Sequence, residues 1–503
     1  MTLTKLTRWS LVATCTAVGV GVAVGAAQTR TARAETEQAM TCTWKGSGSA
    51  QAAVYHAASA AARNGKVYVF GGLNQDGKVQ QNTQIINMSA TTGGPNFTGT
   101  SASAGKQMSQ KGWGAAAAYV PSTDAAKVGK IYVIGGAKTD LDYTKFIGVA
   151  TPPANYIVEG ENTIFAYDID SDSWSTVSGV AAMGNRLFPA ATYSPEKNAI
   201  LISGGMKDCD FLAAVTTAKA CPADNLPAQW LTFDAMGEVT GLSNEGGGPD
   251  KVYGHTSVYD PTHKSIIIYG GTSTGGNADR TGWRVDLTNP AAPAWSNLPN
   301  APKGLAFHSA GYWKGKDLMV VNGGVSSAFF KSSEGYSSTT FGLDMTNPAA
   351  PKWSDLSASG LNPAERIGAV ANYVENTTGL MNVVMSTGRR KLPSSLTSSQ
   401  TVSKNNDVFD CVSGPPVTPT TPGATTPVPT TPSGTKTTTP PPTVPPTPGA
   451  EACPGLETKA PAAAINAAIA NAQQVSGYGM AATRTCRGTV TSTRTAATSA
   501  CGT

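Results

Sequence analysis

Histidine is nearly absent from this chain: His56, His255, His263 and His308 are the only four in 503 residues. So few imidazoles leave little material for metal clusters or general acid–base relays. Charge is also sparse, at 14% Asp, Glu, Lys and Arg, while glycine is abundant at 55 residues. That balance argues against long solvated helices and for close-packed β-structure. The formal charge of +5 hints at an acidic partner until its position is considered. Lys5, Arg8, Arg30 and Arg33 lie in the first 34 residues, which hold no Asp or Glu. Without that segment 33 basic residues face 32 acidic ones, and the electrostatic case for nucleic acid disappears.

Apolar runs long enough to cross a bilayer are missing too, apart from residues 11–27, which follow the positive n-region of Lys5 and Arg8. Ala32-Arg33-Ala34 offers a small-residue cleavage site, with a second cut available after Ala27. Residues 1–34 therefore read as a secretory signal peptide, leaving no membrane span in the mature chain. The C-terminus carries no apolar tail for a lipid anchor, so the product is expected to be secreted, extracellular or cell-wall associated.

What the chain does contain is an internal repeat, the first thing to seek in a protein of this length. A β-branched or apolar run closes on a glycine pair at Lys66-Val-Tyr-Val-Phe-Gly71-Gly72, and again at Gly135-Gly136, Gly204-Gly205, Gly270-Gly271 and Gly323-Gly324. A sixth, degenerate copy ends at Ser386-Thr387-Gly388. Each run follows a small-residue strand, at 54–61, 112–120, 186–193, 252–259, 305–313 and 366–374. Crowded Ala, Gly and Ser suit the innermost strand of a propeller blade, where large side chains would clash about the axis. A third strand closing on Asp and a fourth bearing Trp follow, as Asp168 then Trp174. The segments from Asp286 to Trp295 and from Asp344 to Trp353 match at nearly every position.

At these residues the chain resembles the kelch-repeat family, including the central domain of galactose-oxidase-like proteins. The resemblance spans about residues 41–412 and implies an all-β, six-bladed kelch-type β-propeller. Two departures are plain. The sixth repeat has lost its glycine pair, and the arginine that opens the inner strand survives only as Arg186 and Arg366. The last repeat supplies three strands, ending near Asp410-Cys411. The missing Trp strand is expected at Thr41-Cys42-Thr43-Trp44, which would bring Cys42 beside Cys411 for a disulfide. Residues 413–450 are dominated by Pro and Thr and are expected to form a disordered, extended stalk, O-glycosylated in a eukaryotic host. Residues 451–503 form a separate Ala/Thr-rich tail holding Cys453, Cys486 and Cys501.

Cys209 and Cys221 bracket one loop and are expected to pair locally, which leaves three tail cysteines, one of them either unpaired or joined to another molecule. His56, His255 and His308 fall at similar places in inner strands. They read either as copper or zinc ligands around a channel or as one packing histidine reused, and the lack of accompanying carboxylates or thiols favours packing. His263, in the Asp260-Pro-Thr turn, reads as exposed, and no metal or cofactor is expected. The resemblance also reaches secreted copper radical oxidases, which makes such an enzyme the alternative. It needs a Tyr–Cys cross-link, and the propeller's four cysteines are all expected in disulfides, Cys42 with Cys411 and Cys209 with Cys221. Asp168-Ile-Asp170-Ser-Asp172 starts like a calcium loop but lacks its Gly and distal Glu. Asn87, Asn96 and Asn376 head glycosylation sequons, usable only in a eukaryotic secretory pathway.

The expected activity is binding. The longest connections between second and third strands, about 137–161, 206–228 and 325–338, emerge on one face and carry Asp142, Tyr143, Phe146, Tyr156, Phe211, Phe329, Phe330 and Tyr336. Aromatic rings presented this way suit an extracellular protein or polysaccharide ligand; alternatively they pack the loops onto the propeller.

Overall fold

The computed structural model describes residues 40–90, 97–142, 145, 153–216, 221, 224–249, 251–273, 277–326, 336–357, 365–375, 381–389 and 402–413. The expected stalk, the tail and the signal lie outside them. The described strands build a β-propeller with almost no helix. Four sheets have four strands each, paired in the order in which they follow along the chain.

The first of these runs β10 (Ser173–Thr176), β9 (Ile164–Asp168), β7 (Gly129–Ala137), β6 (Trp113–Pro121). The next contains β11 (Ala190–Ser194), β12 (Ala199–Ser203), β14 (Gln229–Phe233) and β15 (Val239–Asn244). Then follow β16 (Thr256–Asp260), β17 (Ser265–Tyr269), β18 (Gly282–Asp286) and β19 (Ala294–Asn297). The fourth has β20 (Ser309–Trp313), β21 (Leu318–Asn322), β22 (Thr340–Asp344) and β23 (Lys352–Asp355).

A fifth sheet departs from the expected pattern by having eight strands. Its halves are β2 (Ala58–Ala61), β3 (Lys66–Phe70), β4 (Thr83–Ala90) and β5 (Phe97–Gly105), and then β1 (Met40–Ser49) with β26 (Asn405–Ser413), β25 (Met381–Ser386) and β24 (Val370–Glu375). The halves join at one parallel pair, Gly48 with Thr100. The expected pairing of the chain ends is present: β1 runs antiparallel to β26, with Cys42 opposite Cys411 and Trp44 opposite Phe409. The Trp44 and Phe409 rings lie 5.0 Å apart.

Inner strands start later than their small-residue composition suggests. Arg186 to Pro189, for example, precede β11, because their backbone groups are committed elsewhere. The chain turns through positive φ at His56, Gly114, Phe188, Gly254, Phe307 and Gly368, five of them two residues ahead of an inner strand and Gly114 the second residue of β6. Each of these six donates its N–H to the carbonyl of the one before it, at 2.7–3.1 Å, and His56 closes the circle on Gly368. The members alternate between a ring-bearing side chain and glycine. The His56, Phe188 and Phe307 rings pack edge to face, with centroids 4.8–5.3 Å apart. Glycine must separate them: a Cβ on Gly254 would sit 2.8 Å from the Phe307 ring.

The glycine pairs serve a second circle. The later member of each, Gly72, Gly136, Gly205, Gly271 or Gly324, donates to a carbonyl ahead of the next inner strand at 2.7–2.8 Å, and Gly388 does the same to Val54. A Cβ on Gly71 would lie 2.1 Å from the Gly112 carbonyl oxygen, which is why the earlier member is also glycine. Thr387 takes that place in the degenerate copy and is held at φ 63°.

The outer tryptophans tie neighbours at the rim. Trp174 donates to the Lys106 carbonyl and Trp353 to the Pro299 carbonyl, both at 2.9 Å. Trp44, on the N-terminal strand, does the equivalent job by donating to Thr340 Oγ1 at 2.9 Å. Between the first and last repeats Val67, Val69 and Ile86 pack on Val370, Val374 and Val408. The two preserved arginines are buried braces. Arg186 donates to the Gly204 carbonyl and to Gln229 Oε1, at 2.7 and 2.9 Å. Arg366 pairs with Asp407. Burial lowers the Arg186 guanidinium to about 10, still cationic at neutral pH.

Candidate functional site

The axis holds a cavity of about 180 Å³ walled by four consecutive residues from the start of β2, β6, β11, β16, β20 and β24 or just ahead of them. Most are Ala, Gly or Pro, and the polar ones are spent between walls. Thr192 and Ser257 share a 2.6 Å hydroxyl contact, Asn372 donates to Ser59 Oγ at 2.9 Å, and Ser309 donates to the Ala369 carbonyl at 3.1 Å. One end is stoppered by His56, Phe188 and Phe307. Over that stopper lies an apolar cap that includes Tyr55, Leu73, Trp113, Met206, Phe211 and Val325.

The three axial histidines do not share a register. His56 aligns with Phe188 and Phe307, whereas His255 and His308 each come one residue later, and a one-residue shift turns the side chain the other way. His255 Nε2 meets Ser203 Oγ and His308 Nε2 meets Thr256 Oγ1, each at 2.8 Å, inside sheet-to-sheet interfaces. Burial lowers all three to about 3, helped at His56 by Arg389 and at His255 by Arg186. They are neutral packing groups whose rings diverge, so they do not fit a shared copper or zinc centre. His263 departs from the expected exposure: its side chain is 18% exposed and bonded to Asp260. Asp168, Asp170 and Asp172 are occupied by the Ser171, Val128, Gly129 and Lys106 backbone amides, with Tyr167 OH also on Asp172, which is turn chemistry rather than a calcium loop.

The surface above the cap is where the long connections meet. Leu141 donates its N–H to the Gly77 carbonyl at 2.8 Å, and Asp140 Oδ1 accepts from Val79 N at 2.9 Å. Lys78 bridges Asp140 and Asp142 at 3.2 and 3.4 Å. Farther along, β8 (Ile157–Glu159) pairs antiparallel with β13 (Asp208–Asp210), stitching two connections of different sheets together. Short helix α1 (Phe211–Thr216) follows, and Tyr253 OH donates to the Cys221 carbonyl at 3.2 Å. The expected Cys209–Cys221 disulfide is present, with Cα atoms 5.1 Å apart and both residues buried.

The sequence-expected ligand residues divide on this surface. Phe211 is fully buried beneath it and unavailable to a ligand, because its ring packs against Trp113 at 5.9 Å. Tyr156 is half-buried: its hydroxyl donates to the Asp140 carbonyl at 2.5 Å and its N–H to Asp210 at 3.0 Å, while Lys145 sits over its ring. Tyr336 likewise packs on the cap, and Asp142 is half-buried beside Lys78. Tyr143, Phe146, Phe329 and Phe330 lie outside the described residues, as do Asn96 and Asn376; Asn87 is on β4 opposite Lys66. Sequence reasoning missed the exposed members: Ile157, 50% exposed, flanked by Glu159, Lys207 and Asp208. β8 reads Ile-Val-Glu with Ile157 and Glu159 exposed and Val158 buried, so no polarity alternation in the sequence marked Ile157 as outward-facing.

No family model and no curated protein matches this chain. Among solved structures 448 chains match. One of them, the structure of YjhT, is 15% identical with a TM-score of 0.49, covering 71% of this chain and 95% of that one. So remote a likeness adds nothing to the β-propeller that the sheets themselves establish.

Proposed function

We propose that the chain is a secreted, kelch-type six-bladed propeller that binds an extracellular protein or carbohydrate through the surface above the axial cap. The observation that carries this reading is the β8–β13 pair. Long connections from different sheets are held to each other by this ladder and by the Tyr156 to Asp210 hydrogen bond, while the Cys209–Cys221 disulfide and the Tyr156 to Asp140 bond each brace one connection internally. Ordering such loops in advance removes an entropy cost that a ligand would otherwise meet on binding. No comparable investment is needed merely to close a propeller.

The six-blade count is supported by the six-membered hydrogen-bonded circle and by the single residue pair that joins the halves of the eight-stranded sheet. Secretion is supported by the signal-like residues 1–34 and by the Cys209–Cys221 disulfide, a bond favoured in oxidising compartments. Cys42–Cys411 closure follows from their facing positions on β1 and β26.

The test is retention on glycan arrays and on cell-surface extracts by the full secreted chain. Ile157→Asp and the combined Tyr143→Ala, Phe329→Ala, Phe330→Ala variant should each weaken retention at least tenfold, the loss expected when an anchor is removed. Retention unchanged in both variants, with urea midpoints also unchanged, would clear this surface of the role.

A further inference from the structure

A different group of residues lies where hairpins of two neighbouring sheets meet, away from the capped end. Asp260 ends β16, His263 lies in the turn before β17, and Asp317 immediately precedes β21. One ligand atom from each falls within 4.8 Å of the other two. We propose that Asp260, His263 and Asp317 form a binding site for a divalent transition-metal ion of the zinc class.

The donors are already oriented by surrounding bonds. Asp260, with no side-chain exposure, accepts the Thr262 and His263 backbone amides on Oδ1, at 3.0 Å each. Its Oδ2 faces His263 Nδ1 at 2.8 Å. Asp317 Oδ1 takes the Thr262 hydroxyl at 2.6 Å and the Tyr312 hydroxyl at 3.5 Å. Such outer partners fix the geometry of metal ligands and tune their affinity. Arg284, the nearby cation, is tied to Asp286 at 3.0 Å and to Ser265 at 3.1 Å.

Charge supplies the drive. Two carboxylates carry two negative charges beside one imidazole, one of them on a fully buried group, which calls for a compensating cation. A divalent ion between them cancels both. One nitrogen and two carboxylate oxygens suit zinc or cobalt, whereas calcium and magnesium prefer oxygen alone. The arrangement also exceeds what the turn needs. In the sister hairpin after β11, Ser194 and Lys197 occupy the places of Asp260 and His263, and the Ser194 hydroxyl accepts Lys197 N at 3.3 Å. A serine suffices there, and Lys197 turns away to the Pro290 carbonyl at 2.8 Å.

The test is titration of the full chain, thiols blocked, with zinc and cobalt chloride, followed by calorimetry, cobalt absorption and thermal melting. One cobalt per chain and a melting temperature raised by zinc are expected. His263→Ala and Asp317→Asn, both at partly exposed positions, should each weaken the site at least tenfold, the range seen when a metal partner is lost. Binding in both variants within twofold of the parent, or no binding in the parent, would overturn the proposal. Melting without metal checks that each variant is folded.

Discussion

Acid should open this propeller well before its carboxylates titrate. His56, His255 and His308 are about 5% exposed or less, and each is lowered to about 3 from an ordinary value of 6.5, chiefly by burial. Protons therefore bind the unfolded chain in preference, and stability that is complete above pH 6.5 is lost as the pH falls toward 3. Linkage makes the loss about 1.4 kcal/mol per pH unit for each histidine, which amounts to about 2 kcal/mol each at pH 5. Three such groups together remove about 6 kcal/mol, comparable with the whole stability of many domains, about 5–15 kcal/mol.

Asp172, whose carboxyl is lowered by the Tyr167 hydroxyl and the Lys106 amide, acts in the same direction but only below the usual carboxylate range. The window from pH 7 to 5 thus isolates the histidines. Urea midpoints followed by tryptophan fluorescence across that window should fall steeply, and calorimetry in buffers of different ionisation enthalpy should detect about three protons taken up per unfolding event at pH 5. His56→Phe, which repeats the residue already present at 188 and 307, should remove one of those protons and a third of the slope. An uptake below one proton, or ordinary histidine titration by NMR in the folded chain, would refute the reasoning.

Three further outcomes follow from the close contacts. Gly71→Ala, with its Cβ 2.1 Å from a neighbouring carbonyl, should cost several-fold more in urea unfolding than Gly237→Ala, where the new methyl meets nothing and only the left-handed backbone, about 1 kcal/mol, is penalised. Trp44→Ala should lower stability by about 3–5 kcal/mol, because a buried ring and its bond to Thr340 are both lost; thermal melting measures it. Cys209→Ser with Cys221→Ser should cost at most about 3 kcal/mol for so short a loop, yet weaken ligand retention on the glycan array.

Much of this fold was legible because its periodic features are covalent. The glycine pairs, the alanine-rich inner strands and the spaced tryptophans each answer to one packing need repeated around a ring, so the sequence repeats with it. Trp44 was readable as the missing strand because the last repeat runs into the Pro/Thr-rich segment after its third strand, while Trp174, Trp295 and Trp353 mark the fourth strand of other repeats. The axial circle was not readable. His56, Phe188 and Phe307 adopt positive φ without any residue that favours it, and their alternation with Gly114, Gly254 and Gly368 emerges only after the repeats are aligned to the residue. The same one-residue offset hid the divergence of His56 from His255 and His308. Phe211 misled because a loop aromatic can face either way, and Asp317 stands 54 positions beyond His263, too far for spacing to connect them.

The pairing of β1 with β26 also governs how the molecule can be made. Synthesis delivers Trp44 first and its strand partner Phe409 only after nearly four hundred further residues, so the nascent chain must wait with an unpaired edge before it can finish its ring. Such distant contacts slow folding, and bare strands invite association meanwhile. Circular permutants that rejoin these strands early should therefore reach the native state faster and with less aggregation than the natural order.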